Sequence, residues 1–492
     1  MGKADVLIGT VVSDNQTPTF EVVRVKLKAG VDVKPGELIR IPLSARPENS
    51  LIGRVRSAYE SNPNEQTEAV AVRDTLAIRP NYPREEDSTI IYRQVEADLI
   101  EELAGDEIFA PQSLPKSGSD VYAADEEIIV RALGLADKKS AGLLIGDRVG
   151  TANFEVMLKR ESIQRHFFIC GTTGSGKSYS MGVLTEELVR HGIPTVFIDT
   201  QDEYAPTVQH FGGKVVVPGE DFSIRISSLT DKELVGLIPS ATELQANIIS
   251  AAFLELQDEL QSGRRTKFVL DDLLDRINQV GPMLTNKQDS IQLANRRTSF
   301  LRRANIFGEG TSRANWPKLM SPCLAIRCKH LVSTRLQMVA TALLRELQDL
   351  RLRDYIPPYA VVIDEAHLFV PEGSDSACKQ IIREGVRIGR HHGICMFLLT
   401  QSPVDIDKRT IRQCNTRLVF ALEPDQLDAI RGVKADASDE MLRALPKMPR
   451  GTCLLSGTYE SVKHSVLVHI RERVTPEGGK APDIFKKWKA KR

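Results

Sequence analysis

The chain has 492 residues, room for about three domains of roughly 150 residues each. Charged residues make up 26% and aromatics 5%, an ordinary balance for a soluble globular protein. Lys plus Arg equals Asp plus Glu at 65 each, which excludes a polycation but not a local basic lining.

No run approaches 18 apolar residues and no leader-like segment opens the chain, so a cytoplasmic protein off the membrane is expected. The seven cysteines are scattered, odd in number and without a CxxC pair, which speaks for a reducing compartment. Cys323, Cys328 and His330 lie close together, but their spacing matches no common zinc pattern.

The first 80 residues read as short strands: Val6–Val12, Phe20–Leu27, Glu37–Leu43 and Ser50–Arg56. Turn residues separate them at Asp14-Asn15, Lys34-Pro35-Gly36 and Arg46–Asn49. This spacing predicts a small β-barrel. Tyr82–Asp87 is a polar connection, Arg93–Leu103 carries a helical pattern, and Pro111–Gly118 looks like a linker, which puts a domain boundary near 120. Short apolar segments at Asp120–Ala124, Ile128–Leu133, Gly142–Gly146 and Phe154–Leu158 follow.

Phe167–Cys170 is short enough for a buried strand. It runs into Gly171-Thr172-Thr173-Gly174-Ser175-Gly176-Lys177-Ser178, which fits G-x-x-x-x-G-K-[ST]. Tyr179 to His191 then repeats apolar residues at helical spacing. Strand, glycine-rich loop and helix are the context a phosphate-binding loop requires. Loop N–H groups and the helix N-terminus face an anion. Lys177 reaches the β- and γ-phosphates of ATP, and the Ser178 hydroxyl holds Mg²⁺. Arg165 and His166, just before the strand, either touch nucleotide or merely solvate the start of the strand.

Pro194–Asp199 is a second apolar strand, followed by Thr200-Gln201-Asp202-Glu203-Tyr204. Asp199, Asp202 and Glu203 either approach the γ-phosphate or cap the next element. Residues 230–320 are helical in pattern and read as an insertion, opened by a capping box at Thr230–Glu233. Arg296, Arg297, Arg302 and Arg303 on the run 290–306 are either a DNA contact or a solvated face. Thr334–Arg353 carries a further apolar helical stripe.

Tyr359–Ile363 is a buried strand ending in Asp364 and Glu365, the Walker B pattern. The first acid belongs beside Mg²⁺ and the second can orient or deprotonate water. An arginine-dense helix, Ile381–His392, leads into the strand Ile394–Leu399 and the polar tip Thr400-Gln401-Ser402-Pro403. Thr416–Leu422, a helical stretch at 425–446 and closing strands near 451–455 and 465–470 complete the core. Lys486, Lys487, Lys489, Lys491 and Arg492 make a basic tail.

The set GTTGSGKS, VVIDEAHLFVP, REGVRIGRHHG and LLTQSP, behind an N-terminal barrel, resembles the HerA family of DNA-translocating ATPases, relatives of FtsK. The resemblance implies an α/β fold with a RecA-like P-loop core at 121–229 and 321–475, a barrel at 1–120, a helical insertion at 230–320 and a tail at 476–492. It implies a homo-hexamer around double-stranded DNA, ATP and Mg²⁺ as cofactors, and a NurA-like nuclease or another effector as partner. By resemblance Lys177 and Glu365 are catalytic, Gln401 is the sensor and Arg390 is the finger reaching a neighbouring site, with Arg387 its rival. Ser178 and Asp364 would hold the metal. Positions 171–179 with Arg165 would bind nucleotide. The family often has Gly where this chain has Asp202. Lys408, Arg409 and Arg412 are pore-loop candidates or plain surface. Two other readings stay open, a P-loop ATPase that moves protein and a ring scaffold that recruits a nuclease.

Overall fold

The computed structural model describes residues 6–13, 18–44, 46–61, 92–151, 154–238, 240–432, 435–458 and 460–479. Asp14-Asn15, Tyr82–Asp87 and the basic tail lie outside these residues.

The N-terminal strands are β1 (Leu7–Val12), β2 (Val22–Leu27), β3 (Leu38–Leu43), β4 (Arg46–Ser61), β5 (Tyr92–Ala104), β6 (Glu107–Phe109) and β7 (Asp120–Ala123). They hydrogen-bond in the order β2-β1-β7-β3-β4-β5, and β5 pairs back to β2. The result is a closed six-stranded barrel with β6 appended to β5. Alternate residues point inward, so Val23, Val25, Ile39, Ile41, Leu51, Val95, Ala97 and Val121 fill the lumen.

Two expectations are corrected here. Arg93–Leu103 is strand β5, not helix. Its apolar residues fit both periods, and antiparallel pairing to β2 and β4, invisible locally, selects the extended form. Arg46–Asn49, expected as a turn, opens β4, because the chain reverses just before it and pairs Arg46 with Leu43 across a bulge. The barrel also takes in Asp120–Ala123, beyond the boundary near 120. The apolar segment 128–133 belongs to a helix, α1 (Glu126–Leu133), capped by Asp125, whose carboxylate accepts from the Ile128 N–H at 2.9 Å.

The second body is an eleven-stranded sheet. Its strands are β8 (Leu143–Arg148), β9 (Glu155–Leu158), β10 (Phe167–Cys170), β11 (Thr195–Asp199), β12 (Lys214–Val216), β13 (Cys323–Arg327), β14 (Tyr359–Ile363), β15 (Ile394–Thr400), β16 (Thr416–Val419), β17 (Thr452–Gly457) and β18 (Val466–Ile470). The order is β12-β13-β11-β14-β15-β10-β16-β17-β18-β8-β9. From β12 to β16 the strands are parallel, and the rest add antiparallel. The central parallel strands β10, β11, β14 and β15 are buried along their whole length because helices cover both faces.

On one face lie α2 (Lys177–Arg190) and α3 (Ala205–His210). On the other lie α4 (Asp231–Gly236), α5 (Glu243–Gln261), α6 (Leu270–Leu284), α7 (Gln288–Thr298), α8 (Trp316–Met320), α9 (Ser333–Leu352) and α10 (Ala377–His392). The capping box of α4 forms as the sequence implied, with Thr230 and Glu233 bonding reciprocally. The helices of 230–320 share one core with the sheet: Ile248, Phe253, Leu273 and Ile277 join Val196, Ile198, Val361 and Ile363. Two arginines of α7 and the turn after it are engaged within the bundle: Arg297 donates to Gln245, and Arg302 pairs with Asp271. Among the described residues no helix is long and apolar enough to cross a membrane.

Barrel and core are joined by a charged cluster. His464, on the core, donates from Nε2 to Glu101 of β5 and from Nδ1 to Asp436, each at 2.7 Å. Arg54 of β4 also pairs with Asp436 at 3.1 Å, and Lys463 with Glu101 at 2.8 Å. An imidazole donating from both nitrogens is protonated. Burial disfavours that charge, but the two carboxylates outweigh burial and raise the His464 pKa. A raised folded-state pKa means stability fully present below the unfolded value of about 6.5 and lost as pH rises through the folded one. His464→Gln should therefore cost roughly 1–3 kcal/mol at pH 6 and much less at pH 9. Thermal unfolding of both proteins across that range checks it. An equal loss at both pH values would contradict the charged-histidine account.

Candidate nucleotide site

The polarity of the parallel sheet places the ends of β10, β11, β14 and β15 on one edge, and the loops there build a cleft of about 370 Å³. Thr173, Gly174, Gly176, Lys177, Ser178 and Tyr179 line one wall and Gln201, Glu203, Asp364 and Glu365 the opposite one. Gly174 at φ 77° and Gly176 at φ 127° hold backbone shapes that a side chain would strain. Gly176 also lies so close to the Gly451 backbone that a Cβ would sit 3.2 Å from its Cα.

Lys177 Nζ donates to the carbonyls of Gly171 and Thr172 at 2.9 and 3.0 Å, so those two residues shape the loop and do not line the cleft. Ser175 is likewise turned inward, its hydroxyl donating to the Thr172 carbonyl at 2.8 Å. Gln401 stands at the tip of β15, the strand between P-loop strand and Walker B strand, and its Oε1 accepts from the Thr173 hydroxyl at 2.8 Å.

The acidic wall is crowded. Asp364 is buried and accepts from the Thr200 hydroxyl at 3.1 Å. Burial first, then the charges of Glu365, Glu203 and Asp199, drive its pKa well above the usual carboxylate range. Glu365 sits in the left-handed region at φ 50°, rare for a residue with a side chain, and lines the cleft. Its Oε2 is buried without a hydrogen bond, although His367 Nδ1 lies 3.3 Å away. His367 Nδ1 also lies 3.1 Å from the Thr400 hydroxyl on the sensor strand.

Burial lowers the Lys177 pKa, opposed by Glu365 and Asp364. This donor set fits Mg²⁺ with a nucleotide triphosphate: a crowded set of carboxylates that a divalent cation would neutralise, an orphaned carboxylate oxygen for water, and an ammonium beside the loop. Ser178 and Asp364 both line this cleft.

The residues after β11 divide their roles. Asp199 is a loop-former, its carboxylate accepting from the N–H groups of Gln201, Glu203 and Tyr204 at 3.0–3.2 Å. Asp202, at φ 63°, turns away and pairs with Arg327 at 2.9 Å. Asp tolerates the left-handed region better than most residues. Of these acids only Glu203 enters the cleft.

Arg165 does not line the cleft of its own chain. It stands at the far end of β10, so the strand, roughly 13 Å at about 3.3 Å per residue, separates it from its own P-loop. There it pairs with Glu460. Burial and then the charge of Arg390 lower its pKa, which places the two guanidiniums near each other on the edge opposite the cleft. Arg390 and Arg387 are both exposed there, at the end of α10. His166 is buried beside them, accepts from the Met396 N–H at 3.1 Å and is held neutral by burial, its pKa pushed down to about 4. Cys323 and Cys328 are core residues and His330 is exposed. All seven cysteines are buried and unpaired. Lys408, Arg409 and Arg412 are exposed on the short helix α11 (Lys408–Gln413).

Sequence reasoning missed the third wall. Arg450, Arg473, Glu477, Gly478 and Gly479 also line the cleft. One signal existed. Gly182 stands inside α2, where glycine costs about 1 kcal/mol relative to Ala, and Arg473 fills the space its side chain would take.

A P-loop with an acid-tipped strand one strand away defines a RecA-like P-loop ATPase core with an added barrel. Residues 143–347 match the family described as Helicase HerA, central domain, and residues 323–454 match Helicase HerA-like C-terminal. The chain belongs to the HerA helicase family. It is 22% identical over 482 residues to a probable helicase of Methanocaldococcus jannaschii, covering 92% of this chain and 90% of that one. It is 21% identical over 404 residues to the DNA double-strand break repair helicase HerA of Sulfolobus acidocaldarius, covering 77% and 78%. The HerA of Pyrococcus furiosus is 22% identical over 428 residues, covering 76% of each chain. Among solved structures, VirB4 of Thermoanaerobacter pseudethanolicus shares the fold at a TM-score of 0.55 and 14% identity, over 69% of this chain and 98% of that one. The bacterial conjugative coupling protein TrwB does so at 0.51 and 13%, over 70% and 91%.

Lys177→Ala should weaken binding of a fluorescent ATP analogue at least tenfold, the worth of one charge-assisted hydrogen-bonding group. Its unfolding temperature should stay near wild type, because Lys177 bonds only loop carbonyls. Undiminished binding would place the phosphates elsewhere.

Proposed function

We propose that this HerA-family chain is an ATP-driven translocase of double-stranded DNA that works as a homo-hexameric ring with active sites shared between neighbours. A NurA-like nuclease or another effector is its partner in DNA-end processing or defence. The observation that carries the shared site is the separation of Arg390 from the cleft by the full width of the sheet. A free, exposed arginine at the rear edge has no function toward its own nucleotide. In a head-to-tail ring, the rear edge of one subunit meets the cleft of the next. Relatives named as DNA double-strand break repair helicases support DNA as the substrate. The unpaired, buried cysteines suit a cytoplasmic setting.

In this reading the loop N–H groups and Lys177 bind the β- and γ-phosphates. Glu365 takes a proton from the attacking water with its orphaned oxygen. Gln401, tethered to Thr173, reads the γ-phosphate position. Arg390, with Arg165 beside it, reaches into the neighbour's cleft and stabilises charge on the transferred phosphoryl group. Mg²⁺, held by Ser178 and near Asp364, would neutralise the phosphate oxygens. DNA is gripped through its phosphates, with Lys408, Arg409 and Arg412, exposed on α11, as candidate contacts, so affinity should fall steeply with salt and ignore sequence.

ATPase rate with and without linear duplex DNA tests this, run on wild type, Glu365→Gln and Arg390→Ala with oligomer mass recorded. DNA should stimulate the wild type. Each variant should lose on the order of 10³-fold or more, as removal of a finger does. Mixing the two inactive variants should restore measurable activity, because some interfaces then hold one intact Glu365 and one intact Arg390. A wild-type rate indifferent to any DNA would favour a protein-moving ATPase or a scaffold. Mixed rings that stay inactive would place the finger elsewhere.

A further inference from the structure

The nucleotide cleft has a wall that the phosphate chemistry does not use. After β18 the chain does not leave the core. Residues 471–479 run back over the P-loop helix α2 and are fastened to it. Arg471 pairs with Glu186 at 2.7 Å and Glu187 at 3.1 Å. Glu186 accepts in addition from the N–H groups of Val474 and Thr475, at 2.7 and 2.8 Å, and from the Thr475 hydroxyl. Those bonds hold the Glu186 carboxylate charged against its burial.

Arg473 is fixed more tightly. Its guanidinium donates to the hydroxyls of Thr207 and Thr475 and to the Pro476 carbonyl. It lies in a notch over Gly182, where a Cβ would come within 2.4 Å of its Cζ. It also covers the Tyr179 ring at 5.7 Å, while its own N–H donates to the Tyr179 hydroxyl at 3.0 Å. The strap then reaches the acidic wall, where Gly478 and Gly479 pack on Glu203 so closely that a Cβ on either would clash. Across the mouth, Glu477 of the strap faces Arg450 at 3.6 Å. Arg450 precedes Gly451, whose N–H donates to Ser175 of the P-loop at 2.9 Å.

A phosphate chain seated on the loop occupies Gly174 to Ser178. The space beyond it, past Tyr179, is bounded by the strap and by Arg450. We propose that this strap forms the nucleoside subsite of the nucleotide site proposed above: the Tyr179–Arg473 pair is the platform for the base and ribose, and the Arg450–Glu477 pair closes the mouth. A planar, delocalised guanidinium lying over an aromatic ring suits a purine π-face. Stacking reads a π-face and not a base edge, so adenine and guanine nucleotides should bind with similar affinity.

The test uses the full-length chain with Mg²⁺, and titration calorimetry with ATP and with inorganic tripolyphosphate, which carries the phosphates without a nucleoside. Arg473→Ala should weaken ATP binding roughly tenfold or more, the scale of a lost stacking contact, and leave tripolyphosphate affinity unchanged. Gly182→Ala, which pushes Arg473 from its notch, should do the same, with unfolding temperatures recorded for both. Equal loss for both ligands would overturn the subsite and make the strap a prop for the P-loop. No loss for either would also overturn it. If wild type bound neither ligand, the nucleotide reading itself would fall, a result distinct from both.

Discussion

Everything at the cleft follows from one charge imbalance. The loops after β11 and β14 bring Asp199, Glu203, Asp364 and Glu365 into mutual electrostatic reach, with the Lys177 ammonium facing them. Carboxylates crowded in a buried pocket cannot all ionise unless cations arrive. Asp364 shows the cost, its pKa driven far above the ordinary range by burial and by its neighbours. The fold tolerates this because the surrounding backbone absorbs part of the charge. Asp199 accepts three N–H groups, and Thr200 donates to Asp364. What is left over is a crowded set of carboxylates facing one ammonium, a charge pattern that a divalent cation would relieve.

The parallel sheet turns that local chemistry into a directional object. Because β10, β11, β14 and β15 run the same way, every acid and Gln401 emerge on one edge, and every residue that precedes a strand lies on the other. Arg165 and Arg390 are on that other edge for the same reason that Gln401 is at the cleft. Strand polarity therefore explains the locations of both arginines. A site that needs both edges needs two copies of the chain.

What was legible in the sequence was chemistry that is local in the chain. The P-loop, the Asp364-Glu365 pair and the Thr400-Gln401 tip each sit within a few residues of an apolar strand, so pattern and position coincide. Arg93–Leu103 was misread because Val95, Leu99 and Leu103 satisfy a helical period while Val95, Ala97 and Leu99 satisfy a strand period, and only distant partners decide. The distance of Arg165 from its own P-loop was not legible, because six positions from Gly171 is close in sequence and a strand's length away in space. The strap from Arg471 to Gly479 has neither period nor motif. It is held by side chains of α2 and by Thr207, which nothing in the sequence connects to it.

One mechanical link remains between the two edges. Helix α10 carries Arg390 and turns through Gly393, at φ 69°, straight into β15, which ends at Gln401. Gly385 and Gly389 face that strand. A Cβ at Gly385 would meet the Met396 side chain at 2.2 Å, and one at Gly389 would meet the Ile394 carbonyl at 2.3 Å. The helix therefore lies directly against the strand backbone at Gly389 and receives the Met396 side chain at Gly385, and His166 wedges against Gly389 from just before the P-loop strand. Close backbone packing of this kind leaves little room for sliding. Gln401 at one edge and Arg390 at the other are thereby joined through one closely packed helix and strand, and the glycines of the arginine-dense helix are what let it lie that close.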